Sequence, residues 1–204
     1  IIIIDHGQGN IGSLSNALKY LNIDHKVCSN KDEASKIKID GFILPGVGTF
    51  NAGMEKMKER SLDTVTLDLI DKNVKGLGIC LGMQMLCEGS EEGDFKEPGL
   101  GIVNGYIRKL ETKNDFVPNV GWVQTSELEN KMKKKKGFSL NGTYYYVHSY
   151  ALNPAECSDV IAQCKHGGQS ITSAIYKRSV LGVQFHPEKS QGMGLKLIND
   201  YFNN

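Results

Sequence analysis

No charge of one sign dominates this sequence of 204 residues: 24 Lys and Arg stand against 23 Asp and Glu, a formal net charge of +1. A general nucleic-acid binder carries a strong basic excess or a basic face, so that class is set aside. No apolar run approaches the ~18 residues of a membrane span. The opening Ile1 to Ile4 is too short for a signal-peptide core, has no basic lead and ends at Asp5, so neither targeting nor a membrane is expected. The cysteines, Cys28, Cys80, Cys87, Cys157 and Cys164, are odd in number and lack CxxC spacing. They form no disulfide framework and no zinc signature, which points to a reducing, cytoplasmic setting. The sequence also lacks His-x-x-x-His, an Asp-rich calcium loop and GxxxxGK[ST], so no metal or organic cofactor is expected. With no internal repeat and no Pro- or Ser-rich linker, residues 1–204 read as one domain, long enough to bury a large core.

The first ninety or so residues alternate strand and helix. Ile1 to Ile4 is a β-branched run with the pattern of a strand covered on both faces. The polar, glycine-rich DHGQGNIGS follows, and Leu14, Leu18 and Leu21 then recur at helical spacing. His25 to Cys28 reads as a strand, Glu33 to Ile37 as a short helix, and Gly41 to Leu44 as a buried strand stopped by Pro45. Val47 and Phe50 lead into Met54 and Met57, and Ser61 to Asn73 carries Leu62, Val65, Leu69 and Ile70 on one helical face. Leu77 to Ile79 is a strand, and Met83 to Leu86 begins a helix. Strands and helices in this order imply parallel strands joined by right-handed crossovers, an open α/β sheet.

The second half changes character. Gly105 to Leu110, Gly121 to Thr125, Gly142 to Val147, Ser158 to Cys164, Ile171 to Tyr176 and Val180 to Gln184 are short runs split by turn residues. They predict antiparallel or mixed strands added to one side. Leu195 and Ile198, with Tyr201 or Phe202, close the chain with an amphipathic helix. The one sharp charge block, KMKKKK at Lys131 to Lys136, reads as a solvated loop, since no aromatic residue is interleaved for base stacking.

Cys80 has a singular address. It follows a buried strand and precedes Leu81-Gly82 and a helix, with Gly78 two residues before it and Gly82 two after. A strand–turn–helix of this kind is a nucleophile elbow, which lifts a side chain out at the carboxyl end of a parallel strand, where open sheets bind ligands. The following helix offers unpaired amides and its positive end, which lower a thiol pKa and receive an oxyanion. In GVQFHPEKS, Gly182 to Ser190, an apolar strand runs into His186 and Glu188. A histidine can deprotonate a thiol, and a carboxylate can orient the histidine; alternation along an extended ladder turns both to one side.

GLGICLGMQ together with GVQFHPEKS resembles the class I glutamine amidotransferases, whose glutaminase domains use a Cys–His–Glu triad. IIDHGQGNIGSLSNAL, LPGVGTF, LCEGSEEG, YYVHSY and FHPEKSQGMGLKLINDY are similar to the glutaminase subunits of imidazole glycerol phosphate synthases within that family. The resemblance implies the class I glutaminase fold and L-glutamine as substrate. Cys80 would attack the carboxamide, His186 would serve as base and then acid, and Glu188 would orient His186. The backbone amide of Leu81 would donate to the oxyanion, with a second donor from the loop of Gly46, Val47 and Gly48. Gln84, Glu92, Ser149 and Tyr150 would line the glutamine pocket, Glu92 pairing with the substrate ammonium. His148 would be a supporting residue. Ammonia would pass to a (β/α)8-barrel cyclase subunit making imidazole glycerol phosphate and an aminoimidazole carboxamide ribotide. Activity would be low until that partner, with its own ligand bound, completed the oxyanion site.

One block departs from the family pattern. Where Pro-His-hydrophobic-Gly-Trp-Asn is usual, this chain has VPNVGWVQ, with Asn119 in place of histidine and Val123 in place of asparagine. The departure bears on the acceptor, which is either the histidine-pathway cyclase or a related barrel that aminates a sugar. Rival readings of the elbow are a cysteine peptidase or deglycase-like hydrolase, a flavodoxin-like binding module, and a non-catalytic regulatory homologue. The first needs no HPE after a late strand, the second leaves Cys80, His186 and Glu188 without a shared purpose, and the intact triad speaks against the third.

Overall fold

In the computed structural model, which describes residues 1–112, 116–128 and 137–203, the opening isoleucines form β1 (Ile2–Ile4), second from one edge of a nine-stranded sheet. All three side chains are excluded from solvent, and alternate ones enter opposite cores. Each such isoleucine contributes about 1.5–3 kcal/mol on burial, and the strand is fixed between two covered faces. The chain continues through α1 (Ile11–Tyr20), β2 (Lys26–Cys28), α2 (Lys31–Ser35), β3 (Gly41–Leu44), α3 (Phe50–Glu59), α4 (Leu62–Asp71), β4 (Lys75–Ile79) and α5 (Leu81–Met85). Strands β2, β1, β3 and β4 lie side by side and parallel. The α2 helix sits two residues earlier than the sequence pattern predicts, because Asn30 caps it by accepting from the Glu33 amide.

The later elements are β5 (Cys87–Ser90), β6 (Val103–Lys109), β7 (Asn119–Glu127), β8 (Gly142–His148), β9 (Tyr150–Pro154), β10 (Val160–His166), β11 (Gln169–Lys177), β12 (Val180–Val183) and α6 (Gln191–Asn203). The main sheet runs β2-β1-β3-β4-β12-β11-β10-β7-β8. Strand β12 is parallel to β4, and the strands beyond it are antiparallel. The open parallel sheet with an added antiparallel region, expected from the sequence, is therefore borne out. Strands β5 and β9 are not foreseen. They are short and pair with β6 in a separate three-stranded sheet, so no local repeat announces them. The chain leaves one sheet for the other at Ser149.

Helices cover both faces. One core takes Ile2, Ile4, Phe42 and Leu44 from the strands with Met54, Met57, Val65, Leu69 and Met83 from α3, α4 and α5. The opposite core takes Ile3, Ile43, Leu77 and Ile79 with Leu14 and Leu18 of α1 and Leu197, Ile198 and Tyr201 of α6. The Lys131–Lys136 block lies outside the described residues. Among the described residues, no helix is long and apolar enough to cross a membrane.

Candidate active site

The pairing of β4 with β12 builds the site. Ile79 stands opposite Val183, and the Cys80 amide donates to the Val183 carbonyl at 2.8 Å. Two adjacent parallel strands thus release Cys80 and the Gln184–Glu188 segment at one end of the sheet. Cys80 has φ 52° and ψ −109°, outside the ordinary regions for a side-chain-bearing residue, as an elbow requires. The turn closes because α5 approaches β3 at backbone distance: a Cβ on Gly82 would lie 1.8 Å from the Leu44 carbonyl oxygen. Gly46 meets the same helix, its missing Cβ falling 2.8 Å from that of Leu81.

His186 and Glu188 do not lie on a continuing strand. Strand β12 ends at Val183, and Pro187–Lys189 forms a 3₁₀ turn. That turn brings Glu188 Oε1 to 2.8 Å from His186 Nδ1, with both side chains buried. Nδ1 carries the hydrogen because the carboxylate can only accept. His186 Nε2 is buried and, among the described residues, makes no hydrogen bond, which leaves it as the ring atom available to exchange a proton with Cys80. Burial pulls the imidazole pKa down, but Cys80 and Glu188 outweigh it and raise it to about 9. The ring therefore favours its protonated form.

Cys80 and His186 share a cavity of about 300 Å³ with Val47, Gly48, Leu81, Gln84, Glu92, Ser149 and Tyr150. Pro118, Val147 and His148 complete its wall. Gly46 and Glu188 stand behind this wall, around a much smaller void shared with Asn10 and Leu14. A larger cleft, about 690 Å³, opens elsewhere between β6 and β9 and β10 and β11, and none of these residues lines it. The smaller cavity is the candidate site because it holds the elbow cysteine and His186 together.

Several side chains have structural duties beside those the sequence suggests. Glu92 Oε2 accepts the Phe50 amide at 2.7 Å and so caps α3 while its residue lines the cavity. The Gln84 amide donates to the Tyr150 carbonyl and to Gln184. The loop expected to give a second oxyanion donor is turned away: Val47 N–H donates to the Gln8 carbonyl at 2.9 Å, so it is not free for a ligand in this conformation. Its stem is held by wholly buried His6, whose Nε2–H donates to the Pro45 carbonyl at 2.9 Å. Pro118 and Gln184 lie within motifs quoted above, VPNVGWVQ and GVQFHPEKS, yet neither bears an obviously reactive group that singles it out. Among the described residues no group of His, Cys, Asp and Glu is arranged to hold a metal.

A parallel sheet ending in a cysteine elbow, beside a histidine braced by a carboxylate, is an arrangement suited to cysteine-dependent hydrolysis on an open α/β fold. The family described as Glutamine amidotransferase class-I matches residues 2–203, and the chain belongs to it. Among its relatives are the imidazole glycerol phosphate synthase subunits HisH of Bacillus cereus strain G9842 (41% identical, covering 98% of this chain and 93% of the relative) and Listeria innocua (39%, 98% and 94%). The Pseudomonas aeruginosa protein named subunit HisH 2 is 37% identical, covering 98% of each chain. A solved PurLQS structure from Thermotoga maritima shares the fold with a TM-score of 0.73 at 16% identity, covering 99% of this chain and 96% of that chain.

Proposed function

We propose that this chain is the glutaminase subunit of an imidazole glycerol phosphate synthase, with Cys80, His186 and Glu188 as its catalytic triad and residues 1–204 acting as one unit. Cys80 Sγ attacks the carboxamide carbon of L-glutamine, and the charge that develops on oxygen is met by the Leu81 amide at the start of α5. His186 Nε2 gives its proton to the leaving nitrogen as the C–N bond breaks, releasing ammonia. Water, deprotonated by the same nitrogen, then cleaves the thioester to glutamate and restores the thiol. Gln84, Glu92, Ser149 and Tyr150 hold the amino-acid end. The observation that carries the reading is the single cavity shared by Cys80, His186 and the other predicted pocket residues, with Glu188 bonded to His186 from behind.

Ammonia set free in neutral water is mostly protonated and useless as a nucleophile, so an acceptor enzyme has to enclose it. Strands β7 and β8 present Val120, Trp122 and Val147 outward beside the cavity wall, an apolar strip suited to a (β/α)8-barrel partner. The bond from Val47 to Gln8 accords with a low basal rate: the second oxyanion donor forms only when a bound partner releases that peptide. A cytoplasmic setting belongs with this reading.

A second acceptor, a sugar-aminating barrel, is favoured by one observation. Asn119 and Val123 stand on β7, the strand that carries the outward strip, where the family pattern has histidine and asparagine. Affinity capture from the source cell, followed by glutamine hydrolysis assays with the captured barrel and its substrate, separates the two. Stimulation by a phosphoribosyl substrate of the cyclase supports the first acceptor. Stimulation only by a keto-sugar substrate supports the second, and no hydrolysis under either condition defeats the glutaminase reading.

A further inference from the structure

Gln184 is wholly buried just beyond β12, two residues before His186, and has no part in the chemistry above. Its neighbours dictate which way its amide faces. A backbone carbonyl can only accept, so the Gln84 group 3.0 Å from the Tyr150 oxygen is its NH2. That nitrogen lies 3.1 Å from Gln184, whose atom there is therefore the oxygen Oε1. The Gln184 NH2 is then turned toward Cys80 Sγ, 3.7 Å away. The reverse placement sets two NH2 groups against each other and an amide oxygen against the sulfur.

A second donor reaches the same carbonyl from β8. The Tyr150 carbonyl also receives His148 Nδ1–H at 2.9 Å, which leaves His148 Nε2 to accept from Asn119 Nδ2 at 3.0 Å. Burial brings the His148 pKa down to about 4, so at neutral pH the ring stays neutral in this one tautomer. The bonds from β7 and those toward the elbow meet at the Tyr150 carbonyl, which accepts from both His148 and Gln84, and the line ends with a donor on the sulfur.

We infer that Gln184 is a catalytic residue whose side-chain amide donates to Cys80 Sγ and stabilises its thiolate, held in that orientation by Gln84 and the Tyr150 carbonyl. The inference rests on Cys80 being the nucleophile. A hydrogen bond to a charged acceptor is stronger than one to its neutral form, so a fixed donor favours the thiolate before attack and again as it leaves the thioester. Other titratable groups around the cavity are His186 from the loop after β12, Glu92 from the 3₁₀ turn after β5, Tyr150 from β9 and His148 from β8. Substitution of Gln184 isolates its share from theirs.

The test is alkylation of Cys80 by iodoacetamide in the full chain, followed against pH by peptide mapping. Gln184→Met keeps the bulk and removes the donor. The pH midpoint of Cys80 alkylation is expected to rise by about one unit, and kcat for glutamine to fall about 10- to 100-fold with KM nearly unchanged. An unchanged midpoint in the folded variant overturns the inference. Where the variant does not fold, the side-chain amide resonances of Gln184 in the unaltered chain decide. They should move with the alkylation midpoint and stay fixed in Cys80→Ala; resonances indifferent to the thiol overturn the inference. Alkylation consumes no glutamine, so a chain that alkylates as expected but never hydrolyses glutamine defeats only the functional reading.

Discussion

The amide of Cys80 donates to the carbonyl of Val183 at 2.8 Å, joining the ends of two parallel strands that lie in opposite halves of the chain. This bond holds the Cys80 elbow against the end of the strand that leads to His186. It makes the site a property of the strand pairing, and the consequences can be measured.

Cys80→Ala is expected to abolish glutamine-dependent product formation while the reconstituted complex still uses added ammonium salts. Equal loss with both nitrogen sources would assign the cysteine a structural role.

His186→Asn is expected to lower the glutaminase rate by about 10² to 10⁴, the usual worth of general acid–base help. Glu188→Gln retains a group that can accept from His186 Nδ1 but loses the charge that raises the imidazole pKa. Its rate should fall less than that of His186→Asn, and steady-state assays on both variants give the order. A near-normal rate for His186→Asn removes the histidine from the mechanism.

Gly82→Ala forces a Cβ to within 1.8 Å of the Leu44 carbonyl oxygen, and both sides of the clash are backbone. The expected cost is about 1–3 kcal/mol, a fall in Tm of roughly 3–10 °C for a domain of this size. Calorimetry on the variant checks it, and an unchanged Tm would contradict the close approach of α5 to β3.

Acid should weaken the fold before its carboxylates titrate. His148 is held near a pKa of about 4 by burial, against about 6.5 in the unfolded chain, and burial also lowers His6. The unfolded state binds the extra protons, so this contribution is intact above about pH 6.5 and drains away as the pH falls toward 4. For His148 it amounts to about 2–4 kcal/mol. Denaturant midpoints at about pH 7 and pH 5 should differ less in His148→Gln than in the parent; an equal difference would show that the ring is not the source.

Much of the fold could be read locally. Ile2–Ile4 and Gly41–Leu44 are continuous apolar runs because both faces of those strands are covered, and such runs are visible without any knowledge of partners. Strands β5 and β9 were not visible: CEGS and YALNP have no periodicity, and each exists because β6 lies beside it. The turn at Pro187–Lys189 was also hidden, since alternation in FHPEK looks like a strand until the chain is seen to coil.

The sequence by itself determined the chemistry on offer: a thiol in a glycine-flanked elbow, and an imidazole and a carboxylate two residues apart. These follow from residue type and short-range spacing, which are local quantities. Only the tertiary structure decided that Val47 faces Gln8, that Glu92 caps α3, and that Gln184 turns its amide toward the sulfur. Each of those depends on which donor meets which acceptor across the sheet, and a backbone carbonyl or a side-chain amide declares its partner only once distant strands have paired.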